Sequence, residues 1–144
     1  SAYAFIRDVK PSGTSGGSFF SGAWYTRDLN TIVDPDGLIH SLSQNNFILF
    51  PGRYNICIKC MVNSVNNHQL RLYNNTNNTV VLYGMSQVSY NNDNAYLHTI
   101  VNISVNTSYQ IQHMCSKSSS NNGFGMPCGF GSDEVYSVVT INRY

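Results

Sequence analysis

The sequence predicts an all-β sandwich. The first observation is the stretch 53–105, where apolar and polar residues alternate in run after run. Tyr54, Ile56, Ile58, Cys60 and Val62 fall on one parity, and Asn55, Cys57, Lys59 and Met61 on the other. The second is punctuation: Asn-rich clusters break the runs, as turn residues separate half-buried antiparallel strands. The third is that no window carries an apolar stripe at the 3.6-residue helical period.

Taken in order, residues 2–9 read as a short strand, followed by a turn-rich loop through Pro11, Gly13, Gly16 and Gly17. Aromatics resume over 19–31, and Asp34-Pro35-Asp36-Gly37 is a turn. A brief strand at 47–50 stops at Pro51-Gly52, and 54–62 is a long strand. Residues 69–73 and 80–85 pair as a hairpin across the turn at 74–78. Residues 90–94 form a tip, and 95–105 with 108–115 form the next hairpin, turning at Asn106-Thr107. A Ser-, Asn- and Gly-rich loop covers 116–131, and 134–142 is the last strand. Eight to ten strands, spaced by about 10–15 residues, suggest a two-sheet jelly roll or related sandwich. The last strand is apolar on both faces: Val135, Val139 and Ile141 on one, Tyr136, Val138 and Thr140 on the other. A subunit interface would cover the second face, so Tyr136, Val138 and Thr140 are candidate interface residues; packing beneath a loop is the other option.

The 144 residues fit one domain, 1–144, large enough for a core without metal or disulfide support. Only 10% of residues are charged and the net charge is +1. Such a surface attracts neither nucleic acid nor anionic lipid, and it suits neutral partners such as glycans or copies of the same chain. No apolar run approaches the roughly 20 residues of a membrane span. The start, Ser1-Ala2-Tyr3-Ala4-Phe5, carries no signal-peptide pattern, although a segment of a longer protein would look the same. Cys57 and Cys60 have C-x-x-C spacing, but in a strand residues three apart point to opposite faces and cannot share one ion. Cys60 and Cys115 sit on apolar parities as buried free thiols, and a single disulfide involving Cys128 stays open. Unpaired cysteines fit assembly in a reducing cytosol.

Several blocks carry a family resemblance. Residues 21–31, Ser21-Gly22-Ala23-Trp24-Tyr25-Thr26-Arg27-Asp28-Leu29-Asn30-Thr31, resemble the SGAWxTRDLNT block of C-terminal domains of phage tail-fibre and virion-surface proteins. Residues 13–19 resemble its GTxGGxF lead-in, 50–54 its LPAGTY turn and 67–74 its NRHQARLYN block. Residues 112–115 resemble QHRC, and 122–125 with 130–136 resemble NGFG…FGSxEVY. The likeness runs in order over nearly the whole chain. Departures are the Asn richness, the extra cysteines and Met114 where the family often has Arg. The resemblance implies a tumour-necrosis-factor-like or complement-like jelly roll that forms a homotrimer. It further implies a head at the distal end of a viral fibre or spike on the virion surface, made in the host cytoplasm; phage and large eukaryotic virus both fit.

Nothing in the sequence advertises an active site. His40, His68, His98 and His113 lack metal-ligand spacing, and paired carboxylates are hard to find among seven acids. Asp34 and Asp36 flank a turn proline where calcium could sit, but a full calcium site needs about six oxygens. No other cofactor is expected. His68, Arg71 and His113 lie in the family-like blocks and read as an internal polar network, with Arg27 and Asp28 as an ion pair beside it. Trp24 reads as a core anchor in preference to a sugar platform. Binding residues ride on loops, so Tyr90, Asn91, Asn92 and Asp93 and the group Asn121, Asn122, Phe124 and Met126 are the candidate receptor contacts. Their rings and amides suit glycans. The expectation is attachment to a host-surface receptor plus trimerisation, with no nucleic-acid partner and no membrane insertion. The alternative is a purely structural cap on a collagen-like or fibrous protein.

Overall fold

The structure, a computed structural model, describes residues 2–144. In chain order its strands are β1 (Ala2–Lys10), β2 (Tyr25–Thr26), β3 (Thr31–Val33), β4 (Ile39–Ser43), β5 (Asn46–Leu49) and β6 (Gly52–Asn63). They continue as β7 (Asn66–Asn74), β8 (Thr79–Tyr83), β9 (Gln87–Ser89), β10 (Asn92–Ile103), β11 (Thr107–Cys115) and β12 (Glu134–Arg143). All pair antiparallel, in two sheets. One sheet runs β10-β6-β12-β1-β3; the other runs β4-β5-β11-β7-β8, with β2 added to β11 and β9 to β7. This is the jelly-roll sandwich expected, with short strands such as β4 (five residues) and β9 (three residues) added to those the sequence suggested.

Alternation sets the core. On β6, Tyr54, Ile56, Ile58, Cys60 and Val62 are buried, while Asn55, Cys57, Lys59 and Met61 face outward. Ile6, Leu70, Leu72, Leu97, Ile111, Val139 and Ile141 meet them from the neighbouring strands. Each such side chain contributes about 1.5–3 kcal/mol on burial. A smaller second cluster, Phe19, Val62, Val65 and Cys115 with Phe124 against it, lies beneath the long loop between β11 and β12. Glu134 organises that loop by accepting the backbone N–H groups of Gly13, Cys128 and Gly129.

Several expectations need correction. β10 and β11 do not form a hairpin: β10 pairs with β6, and β11 with β7, in opposite sheets. The turn at Asn106 carries the chain across the sandwich. Tyr136 is not an interface residue. Asp8 pairs with Ser137 and Val9 with Val135, so Tyr136 is the extra residue of a β-bulge. The bulge reverses the alternation and turns Tyr136 inward, 3% exposed, where its hydroxyl donates to the Thr14 carbonyl at 2.6 Å. Val138 and Thr140 stay on the outer face, half-buried. The Asp34 carboxylate accepts the Leu38 and Ile39 amides within its turn, and Asp36 accepts that of Tyr3 on β1. All four cysteines are free, with Cys60 and Cys115 buried and Cys128 exposed.

The sandwich has two unlike ends. Ala2 pairs with Arg143 at one. At the other, the turn after β6 receives the loops: Asn63 N–H donates to Gly123 and Ser64 N–H to Asn91. Gly125 marks how tightly the loop packs there. Its φ is +138°, and a Cβ would lie 2.2 Å from the Tyr136 ring. Gly125→Ala should therefore cost about 1–3 kcal/mol as an overpacked substitution, read from the shift in urea unfolding midpoint.

Candidate functional site

Strand β2 puts Arg27 inside. Its N–H donates to Ile111 at 2.8 Å, which aims the side chain into the sandwich while Asp28 points out. Arg27 is 1% exposed. No carboxylate touches it. Instead Nη1 donates to the Met61 carbonyl at 2.9 Å, Nη2 donates to the carbonyls of Phe124 (3.1 Å) and Tyr136 (3.2 Å), and the guanidinium lies 4.4 Å from the Phe124 ring centre. The expected Arg27–Asp28 pair is absent, because adjacent residues of an extended chain face opposite ways. Asp28 pairs with Lys10 at 2.9 Å, and Lys10 also holds the buried Asp8.

A line of three hydrogen bonds extends from Arg27: Nη1 to His113 Nδ1 at 3.4 Å, His113 Nε2 to His68 Nδ1 at 3.1 Å, and His68 Nε2 to Asp93 at 3.0 Å. Arginine only donates, so His113 Nδ1 accepts, and a neutral His113 then carries its proton on Nε2. That proton goes to His68 Nδ1, which leaves the His68 proton on Nε2 for the Asp93 carboxylate. One cation thus sets both tautomers. Burial, aided by the Arg27 charge and by His68, holds His113 well below its ordinary value. Burial lowers His68 as well, against the opposing pull of Asp93.

The expected polar network is therefore present, with changes of membership. Asp93 belongs to it, being at the start of β10 and not in a free tip. Arg71 lies outside it, on the outer face of the second sheet. There Arg71 Nε donates to Gln112 at 2.6 Å, and its guanidinium stacks 4.2 Å from the Trp24 ring centre. Trp24 is half-buried on that face, 5.8 Å from Tyr83, and is not a core anchor. It forms one wall of a groove of about 400 Å³, with Gln69, Gln87, Val88 and Met114. Gln87 lay outside every sequence motif.

Of the expected contact loops, Tyr90 is 77% exposed, Met126 is exposed, and Asn91 and Asn121 are exposed beside them. Asn92 opens β10 and accepts from Asn63 at 2.6 Å. Phe124 is withdrawn from the contact group: it stacks on Phe19 at 4.3 Å and covers Arg27. Phe130, 85% exposed, sits further along the same loop.

Two outcomes follow. Arg27→Leu leaves three inward carbonyls without a donor, at about 1–3 kcal/mol each, so denaturant titration should show a loss of at least about 3 kcal/mol. The histidines bind protons more weakly folded than unfolded, so stability is complete above the ordinary value of 6.5 and is lost as pH falls below it. Glu134, held below its ordinary 4.5, acts only at lower pH. Unfolding midpoints should therefore fall from pH 6.5 to about 5, and His113→Gln should flatten that slope.

No protein-family model matches this chain, and no curated protein matches it at a significant level. Solved structures do. Eiger TNF from S. frugiperda aligns with a TM-score of 0.62 at 10% identity, over 99% of this chain and 92% of that one. Murine APRIL aligns at 0.55 and 5% identity, over 98% of each chain. The globular domain of zebrafish complement 1qA protein aligns at 0.55 and 12% identity, over 99% and 98%. The chain has the jelly-roll fold that tumour-necrosis-factor and complement globular domains share.

Proposed function

We propose that this chain is the trimeric head domain of a viral fibre or virion-surface protein and acts in host-cell attachment. It is a binding and assembly module, not an enzyme. The observation that carries the trimer is the outer face of the first sheet. Pairing register lines up His98, Cys57, Thr140, Phe5 and Val33 across all five strands. The next rows hold Tyr96, Lys59, Val138 and Arg7, and Ile100, Asn55, Asn142 and Tyr3. Tyr3, Val33 and Ile100 are exposed there. A sheet face this rich in aromatic and branched side chains, with Arg7, Arg53 and Lys59 its charged residues, is what an interface between subunits requires. The tumour-necrosis-factor-like fold supports it, since domains of that class are often trimeric receptor binders.

Attachment is supported by the two unlike ends. A stalk joined at Ala2 would leave Tyr90, Asn91, Asn121, Asn122 and Met126 at the far end, carried on a rigid scaffold. The virion-surface origin rests on the family-like blocks of the sequence. Sedimentation at micromolar concentration should give three times the 16.0 kDa chain mass, and Val138→Arg should dissociate the trimer. A wild-type monomer would overturn this reading. Tyr90→Ala should weaken binding of the trimer to host cells, and a wild-type trimer that binds no host cell would reduce the domain to a structural cap.

A further inference from the structure

The buried side-chain oxygen of Gln87 has no hydrogen-bond partner among the described residues. Gln87 lies opposite His68 in the β9–β7 pairing. Residues opposed in this way share a face, with Cβ atoms about 4.5–5.5 Å apart. His68 faces inward, so the Gln87 oxygen lies on the interior side of the sheet, next to the His68 side chain. A buried acceptor without a donor is unfavourable. The line from Arg27 to Asp93 explains why this one goes unused. Its two neutral rings hold one proton each, and both are placed: His113 Nε2–H on His68, and His68 Nε2–H on Asp93. No N–H of His68 is left for Gln87.

The line has no room for a third proton. On His113 Nδ1 it would face the guanidinium of Arg27, which only donates. On His68 Nδ1 it would face the Nε2–H of His113, 3.1 Å away. Either way two donors meet. His68 is the better site, because it has the Asp93 carboxylate beside it and stands one ring further from Arg27. Burial holds His113 well below its ordinary value, whereas Asp93 offsets part of the same effect at His68.

The remaining groups around the line do not change this order. The thiols of Cys60 on β6 and Cys115 on β11 are pushed up by burial and stay neutral in acid. Asp8 on β1 and Asp28 are both engaged by Lys10. On β12, Tyr136 offers its carbonyl, and Glu134 is turned to the amides of Gly13, Cys128 and Gly129. On β9 the inward residues are Gln87 and Ser89.

We propose that His68 is an acid switch for the segment 87–93: on taking a proton it releases His113 and gives its Nδ1–H to the Gln87 side-chain oxygen. Its Nε2–H stays on Asp93. In the neutral state His68 is tied to His113 on β11 and to one end of this segment. In the acid state both of its partners, Gln87 and Asp93, lie on the segment itself, one at each end. Between them sit Tyr90 and Asn91, whose carbonyls accept from Ser64 after β6. Acid therefore moves the exposed Tyr90 tip relative to the second sheet. The inference rests on reading that tip as a contact surface, and it depends neither on the viral origin nor on the trimer.

The test is an NMR titration of ¹⁵N-labelled protein from pH 7.5 to 5. The His68 ring should gain a proton on Nδ1 with a midpoint below 6.5. The side-chain amide of Gln87 and the backbone amides of Tyr90 and Asn91 should shift with that same midpoint and return when the pH is raised. Amides of Leu72 and Ile141 in the apolar core should stay in place. Gln87→Leu should leave the urea unfolding midpoint at pH 7.5 unchanged, since the oxygen removed has no partner. It should lower the His68 midpoint by about one unit, the effect of one hydrogen bond to a charged group. The wild-type titration decides the matter even where the variant fails to fold. A first proton on His113, Gln87 signals that do not follow His68, or a Tyr90 tip unchanged down to global unfolding would overturn the switch. Host-cell binding at pH 7.5 tests attachment separately. Binding with a silent titration removes only the switch, and a switch without binding removes only the attachment.

Discussion

Burying a guanidinium without a carboxylate is the constraint around which this sandwich is arranged. Taking the charge of Arg27 out of water is costly unless every donor finds an acceptor. The acceptors come from three separate places: Met61 on β6, Tyr136 on β12, and Phe124 in the loop between β11 and β12. Arg27 itself hangs from β11, in the opposite sheet, through the bond of its N–H to Ile111. One side chain therefore ties both sheets to the long loop. The bulge at Tyr136 belongs to this arrangement, because it places a carbonyl of β12 within reach of Nη2.

The polar layer this creates divides the interior. On one side is the large apolar core of both sheets; on the other is the small aromatic cluster of Phe19, Val65 and Phe124. The layer between consists of Arg27, His113, His68 and Asp93, joined in a line with every ring nitrogen assigned. A fully satisfied buried network has one arrangement, where apolar packing tolerates several. It anchors the loops at the far end.

How much of this the sequence revealed depends on whether the signal is local. Period-two alternation placed β1, β6, β7 and β12 within a few residues, since each strand's own side chains decide which face is buried. The hairpin drawn between 95–105 and 108–115 was wrong for the complementary reason. Asn106 marks a turn, and a turn does not say which sheet the next strand joins. Tyr136 was misplaced because an alternation read outward from Ile141 continues through a bulge that only the partner strand β1 imposes. Arg27, His68 and His113 stood out as a group through the family-like blocks, but their links to Asp93 and to three backbone carbonyls are contacts between distant segments. Trp24 lies in an irregular stretch with no periodicity to orient it, and Gln87 belongs to a three-residue edge strand with no distinguishing neighbours.

The separation of surfaces bears on how such a head would work. The proposed interface uses the outer face of the β10-β6-β12-β1-β3 sheet, whereas Trp24 and Gln87 lie on the other sheet. A threefold assembly through the first face leaves three copies of the groove facing away from the axis. The groove also lies toward the loop end, because Gln87 pairs with His68 and Ser89 with Asn66, next to the turn after β6. A shallow site holds a partner weakly, and its strength on a host surface would come from the three copies acting at high effective concentration. Assembly and recognition then reinforce one another without sharing a residue. That independence is what a neutral surface with few charges requires, since it has no long-range attraction to bring a partner in.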